Sequence, residues 1–358
     1  MPSSDVPTLR WGIIATGLIS SWFVQDLALD RRNAQAKHVI RAVGSSSVER
    51  GRCFVDKCLP NAGKGDIHVY GSYDEVYRDP DVDIIYIGTP HAFHKQNCLD
   101  AIHAGKHVLC EKPFSLNARD AREVFAAARG KGLFVMEAVW TRFFPLVRRL
   151  QELVHREKVI GDVRRVFCDF GIFIDFDSLP PDSRLKSPAL GAGTLLDIGI
   201  YSLTWGLLML DPEIGTRAEK PARIVATQNI EHGIDLASSF ILQYPGREAI
   251  LTSTGAAKTP AQFCRIEGSK GHIIVDGPAA SVPASFTIHR AEPGSLPENV
   301  EFERTGKGFY WEADAVAVDI AAGRTENSIM PWAETIRVLE FLDEVRRQGG
   351  AIFPQDAQ

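Results

Sequence analysis

The stretch Leu9-Arg-Trp-Gly-Ile-Ile-Ala-Thr-Gly-Leu-Ile-Ser20 decides the first half of the fold. Leu9 to Ala15 reads as a strand, and Ile19 to Leu29 as a helix following a tight turn. A dinucleotide fingerprint wants glycine at the first, third and sixth positions of such a turn. Here those positions hold Ala15, Gly17 and Ser20, so only the middle glycine is present, the one that lets backbone approach a pyrophosphate. Alanine and serine are small enough to keep the turn and the helix–strand contact. Thr16, Gly17, Leu18 and Ile19 are therefore candidate phosphate-facing residues, although the motif alone also fits a βα turn without a ligand.

Working outward, His38 to Ser45 reads as a second strand and Asp83 to Thr89 as a third. Phe93 to Ala104 is a helix that Gly105 can end by taking the left-handed conformation. His107 to Cys110 and Leu133 to Ala138 are further strands, with Asn117 to Arg129 a helix between them. Strands apolar on both faces, alternating with helices over short connections, predict a doubly wound α/β domain with a parallel sheet. After Trp140 the rhythm changes. A helix from Pro145 to Glu157, a strand from Val163 to Phe173 and a Pro-containing loop from Asp175 to Pro188 precede an apolar helix over Leu195 to Leu210. From Arg223 come successive strands with tight turns, which imply a mainly antiparallel sheet. Two helices, Tyr310 to Ala322 and Trp332 to Arg347, close the chain. The expected architecture is a dinucleotide-binding domain over residues 1–139 and an α+β domain with an open sheet over 140–358.

Composition agrees with a globular protein of 358 residues: 45% hydrophobic, 24% charged, formal net charge −5. That balance draws the chain toward neither nucleic acid nor an anionic membrane. Met1 to Pro7 lacks the layout of a signal peptide, and the Leu195–Leu210 stretch is short for a bilayer and holds Asp197, so a cytoplasmic protein is expected. The six cysteines are scattered; Cys53 and Cys58 find no second pair or histidine cluster to complete a metal site. No metal is expected.

The second strand carries the cofactor choice. An NAD site places a carboxylate at its end, on the ribose 2′-hydroxyl. Here the strand ends in Ser45-Ser46-Ser47, with Arg50 one turn on. Hydroxyls from Ser46 and Ser47 with the Arg50 guanidinium suit a 2′-phosphate, and Glu49 points away if Arg50 points in. NADP is the cofactor this reading favours.

Two more strand ends face the crevice where open α/β sheets bind ligands. One reads Thr89-Pro-His91-Ala-Phe-His94, the other Glu111-Lys112-Pro113. Each histidine also fits a surface or capping role. In the second half, Asp197 and Tyr201 lie four apart on a helix and share a face.

Taken together, E-K-P at 111–113, T-P-H-x-x-H at 89–94 and G-x-L-x-D-x-G from Gly193 resemble the Gfo/Idh/MocA oxidoreductase family. W-G-I-I-x-x-G-L-I-S-S (11–21), M-E-A-x-W-T-R-F-F-P (136–145), L-L-D-I-G-I-Y (195–201) and F-P-Q-D (353–356) resemble its branch of dimeric dihydrodiol dehydrogenases and NADP-dependent D-xylose 1-dehydrogenases. The resemblance implies a Rossmann domain followed by an open sheet used for homodimerisation, and a small-molecule substrate, aldose or dihydrodiol. It implies that Lys112 and Tyr201 act together at the substrate with Asp197. Trp140 and Arg142 are implied as neighbours of nicotinamide and pyrophosphate. A non-catalytic NADP-binding regulator is the reading from another class; retention of Lys112, Tyr201 and Asp197 speaks against it.

Tyrosine titrates near pH 10 and needs help to act as a base. A lysine ammonium about 4 Å away, at an effective dielectric near 20, contributes about 4 kcal/mol, and desolvation opposes it. Either Tyr201 is the base with Lys112 tuning it, or a neutral Lys112 is the base; both remain open at this point.

Overall fold

The computed structural model describes residues 6–59 and 66–357. The residues of the polar start before Val6 lie outside that range. Two compact units emerge, each considered by itself. The first takes residues up to Ser115, Arg119–Trp140 and Arg304–Trp332; the second takes Leu116–Ala118, Thr141–Glu303 and the chain from Ala333 onward. The expected division at 139/140 thus meets a returning segment, Arg304–Trp332, that belongs with the first unit.

The first unit holds β1 (Thr8–Ile14), α1 (Leu18–Leu27), β2 (Lys37–Gly44), α2 (Val48–Cys58), β3 (His68–Tyr70), α3 (Tyr73–Arg78) and β4 (Ile84–Ile87). It continues with α4 (His94–His103), β5 (His107–Glu111), α5 (Ala118–Lys131) and β6 (Val135–Ala138). All strand pairs are parallel, in the order β3-β2-β1-β4-β5-β6. The order reverses between β1 and β4, so the loops after these two strands flank the crevice where such sheets take ligands. β3 and α3 escaped the sequence reading. Three residues of β3 carry no period, and the six of α3 are fewer than two helical turns.

The second unit begins with α6 (Pro145–Gln151), β7 (Val163–Gly171) and α7 (Ile200–Leu210). Strands β8 (Arg223–Glu231), β9 (Ile234–Tyr244), β10 (Arg247–Thr254), β11 (Gln262–Gly268), β12 (Gly271–Asp276), β13 (Ser285–Arg290) and β14 (Glu298–Glu301) follow. The first unit's α8 (Phe309–Ala321) comes next, and α9 (Trp332–Gly349) closes the chain. The eight strands order as β14-β13-β12-β11-β7-β10-β9-β8, antiparallel except where β10 runs parallel to β7. The expected open, mainly antiparallel sheet is therefore present. α7 is buried along its whole length. The segment Pro188–Leu210 is apolar and long enough to cross a membrane by composition, yet most of it is buried inside the fold.

Strand register sorts the other sheet face. Val225, Ile241, Ile250, Phe167, Arg265, Ile274 and Thr287 stand opposite one another in one row across seven strands. Ile241, Ile250, Phe167 and Ile274 in that row are only half-buried.

Candidate active site

The turn after β1 keeps its shape without the first fingerprint glycine. Ala15 sits at φ +69°, in the left-handed region, at a cost of about 1 kcal/mol for a residue with a Cβ. The close helix–strand approach usually given by the third glycine is met from the other side. A Cβ on Gly88, just after β4, would lie 2.3 Å from Ser20 Oγ, so glycine is needed there. Gly17 tells the opposite story. Its φ of −80° suits any residue, and a Cβ built on it meets nothing within 4 Å. Gly17 caps α1 with no side-chain hydrogen bond, which leaves the first amides of the helix open toward the crevice. Open space beside a glycine that the fold does not need, at a helix N-terminus, fits a pyrophosphate. Thr16 and Ile19 are half-exposed, and Leu18 is 65% exposed.

At the end of β2 the three serines divide their work. Ser47 caps α2, its Oγ accepting from Arg50 N–H at 3.2 Å, and the buried Ser45 Oγ donates to Ser47 O at 3.0 Å. Only Ser46 is exposed, and Arg50 Nη1 donates to its Oγ at 3.2 Å. Ser46 and Arg50 thus form an exposed hydroxyl–guanidinium pair, while Ser47 mainly holds the helix end.

After β4, Thr89 Oγ1 donates to Asn97 Oδ1 at 3.0 Å, and His91 is buried with its ring 5.8 Å from that of His94. His94 is fully enclosed. Its Nδ1 lies 2.8 Å from Pro113 O and its Nε2 2.8 Å from Thr89 O. Burial, with a smaller push from Lys112, lowers it to about 4, so the ring is neutral and donates to one carbonyl at a time. His94 sits between the two strand-end loops, one ring nitrogen facing a backbone carbonyl of each, and its single N–H holds one of them at a time. This contact supports the exit from Lys112, helped by Phe114 N–H donating to Glu137 Oε1 at 2.9 Å. Glu111 is buried and accepts from Tyr86 Oη at 2.6 Å. Lys112 itself is half-exposed.

The resemblance implied Trp140 and Arg142 as neighbours of nicotinamide and pyrophosphate; both side chains are buried. Trp140 is buried and stacks on Phe309, ring centroids 4.1 Å apart and nearly parallel, as packing within the first unit. Arg142, in the second unit, is 1% exposed and its Nη2 donates to Glu334 Oε1 at 2.6 Å. Glu334 also accepts from Arg337 and from Gly215 N–H. Burial pushes the Glu334 carboxyl up, but the two arginines outweigh it and hold the group at about 2. Arg142 thus sits in an interior ion pair, and its Nε and Nη1 have no hydrogen-bond partner among the described residues.

In the second unit Leu195–Gly199 forms a π-turn that feeds α7. Asp197 and Tyr201 therefore straddle a π/α junction, a feature enriched at functional sites. Asp235, which sequence reasoning missed, anchors this segment. Its carboxylate accepts from Leu195 N–H at 2.7 Å, Thr194 Oγ1 at 2.9 Å and Ser238 Oγ at 3.0 Å. Gly193 has φ +138°, and a Cβ there would lie 2.0 Å from Asp235 Oδ1, which explains the glycine that opens the motif. Asp197 pairs with Arg184 Nη2 at 3.6 Å, another residue missed. Arg184 comes from the expected loop, whose Phe176 and Leu185 line a narrow cavity with Ile172, Ile174, Asp197 and Ile198. Tyr201 is buried, its ring 5.8 Å from Phe170. Trp205 is packing, with Nε1 donating to Ala280 O at 2.8 Å.

Among the described residues, His68, Asp79 and Asp81 bring possible metal-ligating atoms within 4.8 Å of one another. Asp79 is already held by His68 and Tyr70, and Asp81 by Arg10.

A parallel nucleotide-type sheet, an open phosphate turn and a lysine at a strand end define a dinucleotide-dependent oxidoreductase with a second, open-sheet unit. Residues 9–139 match the oxidoreductase family with an NAD-binding Rossmann fold, and residues 147–274 match the GFO/IDH/MocA C-terminal domain. The chain belongs to the Gfo/Idh/MocA oxidoreductase family. It is 35% identical to a D-xylose 1-dehydrogenase (NADP+) from Hypocrea jecorina, over 99% of this chain and 95% of that protein. It is 36% identical to a trans-1,2-dihydrobenzene-1,2-diol dehydrogenase from Sus scrofa, over 97% of this chain and 99% of that one. A solved aldose-aldose oxidoreductase from Caulobacter crescentus, complexed with glycerol, shares the fold with a TM-score of 0.79 at 23% identity, covering 98% of each chain.

Proposed function

We propose that the protein is an NADP-dependent aldose 1-dehydrogenase of the D-xylose type, oxidising the anomeric carbon of the sugar to a lactone. The observation that carries the cofactor half is the exposed Ser46–Arg50 pair at the end of β2, where an NAD enzyme keeps a carboxylate. The Gly17 turn and the amides of α1 hold the pyrophosphate, with Thr16, Leu18 and Ile19 beside it. Thr89, His91 and Glu111 line the track between them and Lys112. NADP, when bound, supplies the hydride acceptor. Lys112 and Tyr201 take the proton of the substrate hydroxyl, and Asp197, paired with Arg184, accepts a hydrogen bond from a neighbouring hydroxyl.

A second reading, oxidation of an aromatic dihydrodiol, is supported by near-equal identity to the diol enzyme. The test is NADPH formation with D-xylose, D-glucose and a trans-dihydrodiol. Faster turnover of xylose per molar substrate supports the first reading, and a diol preference replaces it with the second. No NADPH from any of the three would leave only the regulator reading. The half-exposed apolar row on the open sheet supports a homodimer formed through that face.

A further inference from the structure

Glu312 lies on α8 and is fully buried, and neither carboxylate oxygen has a hydrogen-bond partner among the described residues. Its surroundings are traced through packed rings. Phe309, one turn earlier on the same helix face, meets Phe23 edge-on at 6.1 Å; Phe23 stacks on Tyr86 at 3.8 Å; and Tyr86 Oη donates to Glu111 at 2.6 Å. Glu312 lies near enough to Glu111 and Tyr86 for its charge to oppose the ionisation of Tyr86 and for Glu111 to oppose its own. Two buried carboxyls therefore lie within electrostatic reach of each other near the strand end that carries Lys112.

Buried acids so placed cannot both ionise. Their environments settle which one does. Glu111 receives the Tyr86 hydroxyl and the Lys112 backbone N–H, the latter at 3.3 Å, while Glu312 receives nothing. Burial, with the Glu111 charge adding, pushes the Glu312 carboxyl well above the ordinary range. Tyr86 and Cys110, which also act on this pair, are both pushed up by burial and so neutral.

We propose that Glu312 and Glu111 share one proton and one negative charge, the proton resting on Glu312, so that a single fixed anion stands beside Lys112. This rests on the proposed role of Lys112 and names a residue that the motifs do not include. Keeping Glu312 neutral prevents a second anion from tightening the hold on the proton that the base must release.

Two isosteric amides separate the acids. In the unliganded protein, the infrared C=O band of a protonated carboxylic acid is expected at neutral pH. Glu312→Gln removes it and Glu111→Gln leaves it. In turnover, Glu111→Gln removes the fixed anion and lowers the midpoint of the kcat/KM rise with pH by about one unit. Glu312→Gln, which replaces one neutral group by another, leaves the midpoint where it is. Loss of the band in Glu111→Gln but not in Glu312→Gln overturns the proposal. So does a wild-type spectrum without the band, or a midpoint that Glu312→Gln moves as far as Glu111→Gln does. The infrared measurement needs no substrate. A protein that oxidised none of the three substrates would defeat the functional reading, and the spectra would still decide the placement of the proton.

Discussion

The turn after β1 and the segment from Gly193 to Tyr201 use their polar groups in opposite ways. In the turn, Gly17 faces open space and the first amides of α1 have no side-chain cap. In the segment, the comparable backbone amide, Leu195 N–H, is taken by the buried Asp235, which binds two further hydroxyls at once. A region that waits for an anion must leave donors unspent, whereas one that aims a side chain must spend them on its own support. The exit from Lys112 is of the second kind, with His94 set between it and the neighbouring loop. Substitutions in supported regions should therefore alter stability and turnover together, and those in the open region should alter cofactor binding alone.

The largest effect is expected where the aimed groups themselves are removed. Lys112→Met and Tyr201→Phe should each lower kcat by about 10²–10⁴-fold, the range of general acid–base catalysis, with NADP affinity within about twofold. Cofactor affinity falling as far as kcat, read by fluorescence titration, would show that the two residues serve binding instead.

His94 supplies a pH signature. Its folded value of about 4 lies below the unfolded value of 6.5. The neutral ring therefore contributes stability that is fully present above about pH 6.5 and lost as pH falls through 4, up to about 3 kcal/mol. His94→Gln keeps a donor without the titration and should flatten the stability curve from urea unfolding between those pH values. Equal slopes for both proteins would remove His94 as the source. Asp235→Ala should cost about 2–3 kcal/mol by stranding Leu195 N–H, and lower kcat as the segment loosens, while Asp235→Asn loses less of both. A fall in melting temperature with kcat intact would mean that the anchor does not aim Tyr201.

Legibility in the sequence followed the same divide. The parallel order of the first sheet was readable because Ile13–Ile14 and Ile84–Ile87 are apolar on both faces, and the antiparallel second sheet because successive strands from Arg223 onward are joined by tight turns. Candidate residues with open surroundings, Gly17, Ser46 and Arg50, could be picked from a local motif. Asp235 could not, being 40 residues from the N–H it accepts, and neither could Gly88, whose need for glycine comes from Ser20 on α1. The ion pair of Arg142 was illegible for the same reason: its partner Glu334 is 192 residues away, and only the fold brings the charges together. The π-turn also left no trace, since Leu195–Leu210 reads as one uninterrupted apolar helix.

The smaller effects test the open region. Gly17→Ala places a methyl in empty space at a φ that alanine adopts freely, so the melting temperature should not move. NADP affinity should fall about tenfold, near 1.4 kcal/mol, because the methyl occupies the room left for the pyrophosphate. A lower melting temperature would instead assign Gly17 to packing. Arg50→Ala should raise KM for NADP by about fivefold to tenfold and leave KM for NAD unchanged, since only the 2′-phosphate offers the guanidinium a charge. Ser46→Ala should do the same to a smaller degree, about twofold to threefold. Arg50 Nη1 already donates to Ser46 Oγ, so the two losses should fall short of additive in the double variant. Equal losses for NADP and NAD in Arg50→Ala would detach this pair from the 2′-phosphate, and with it the choice of NADP over NAD.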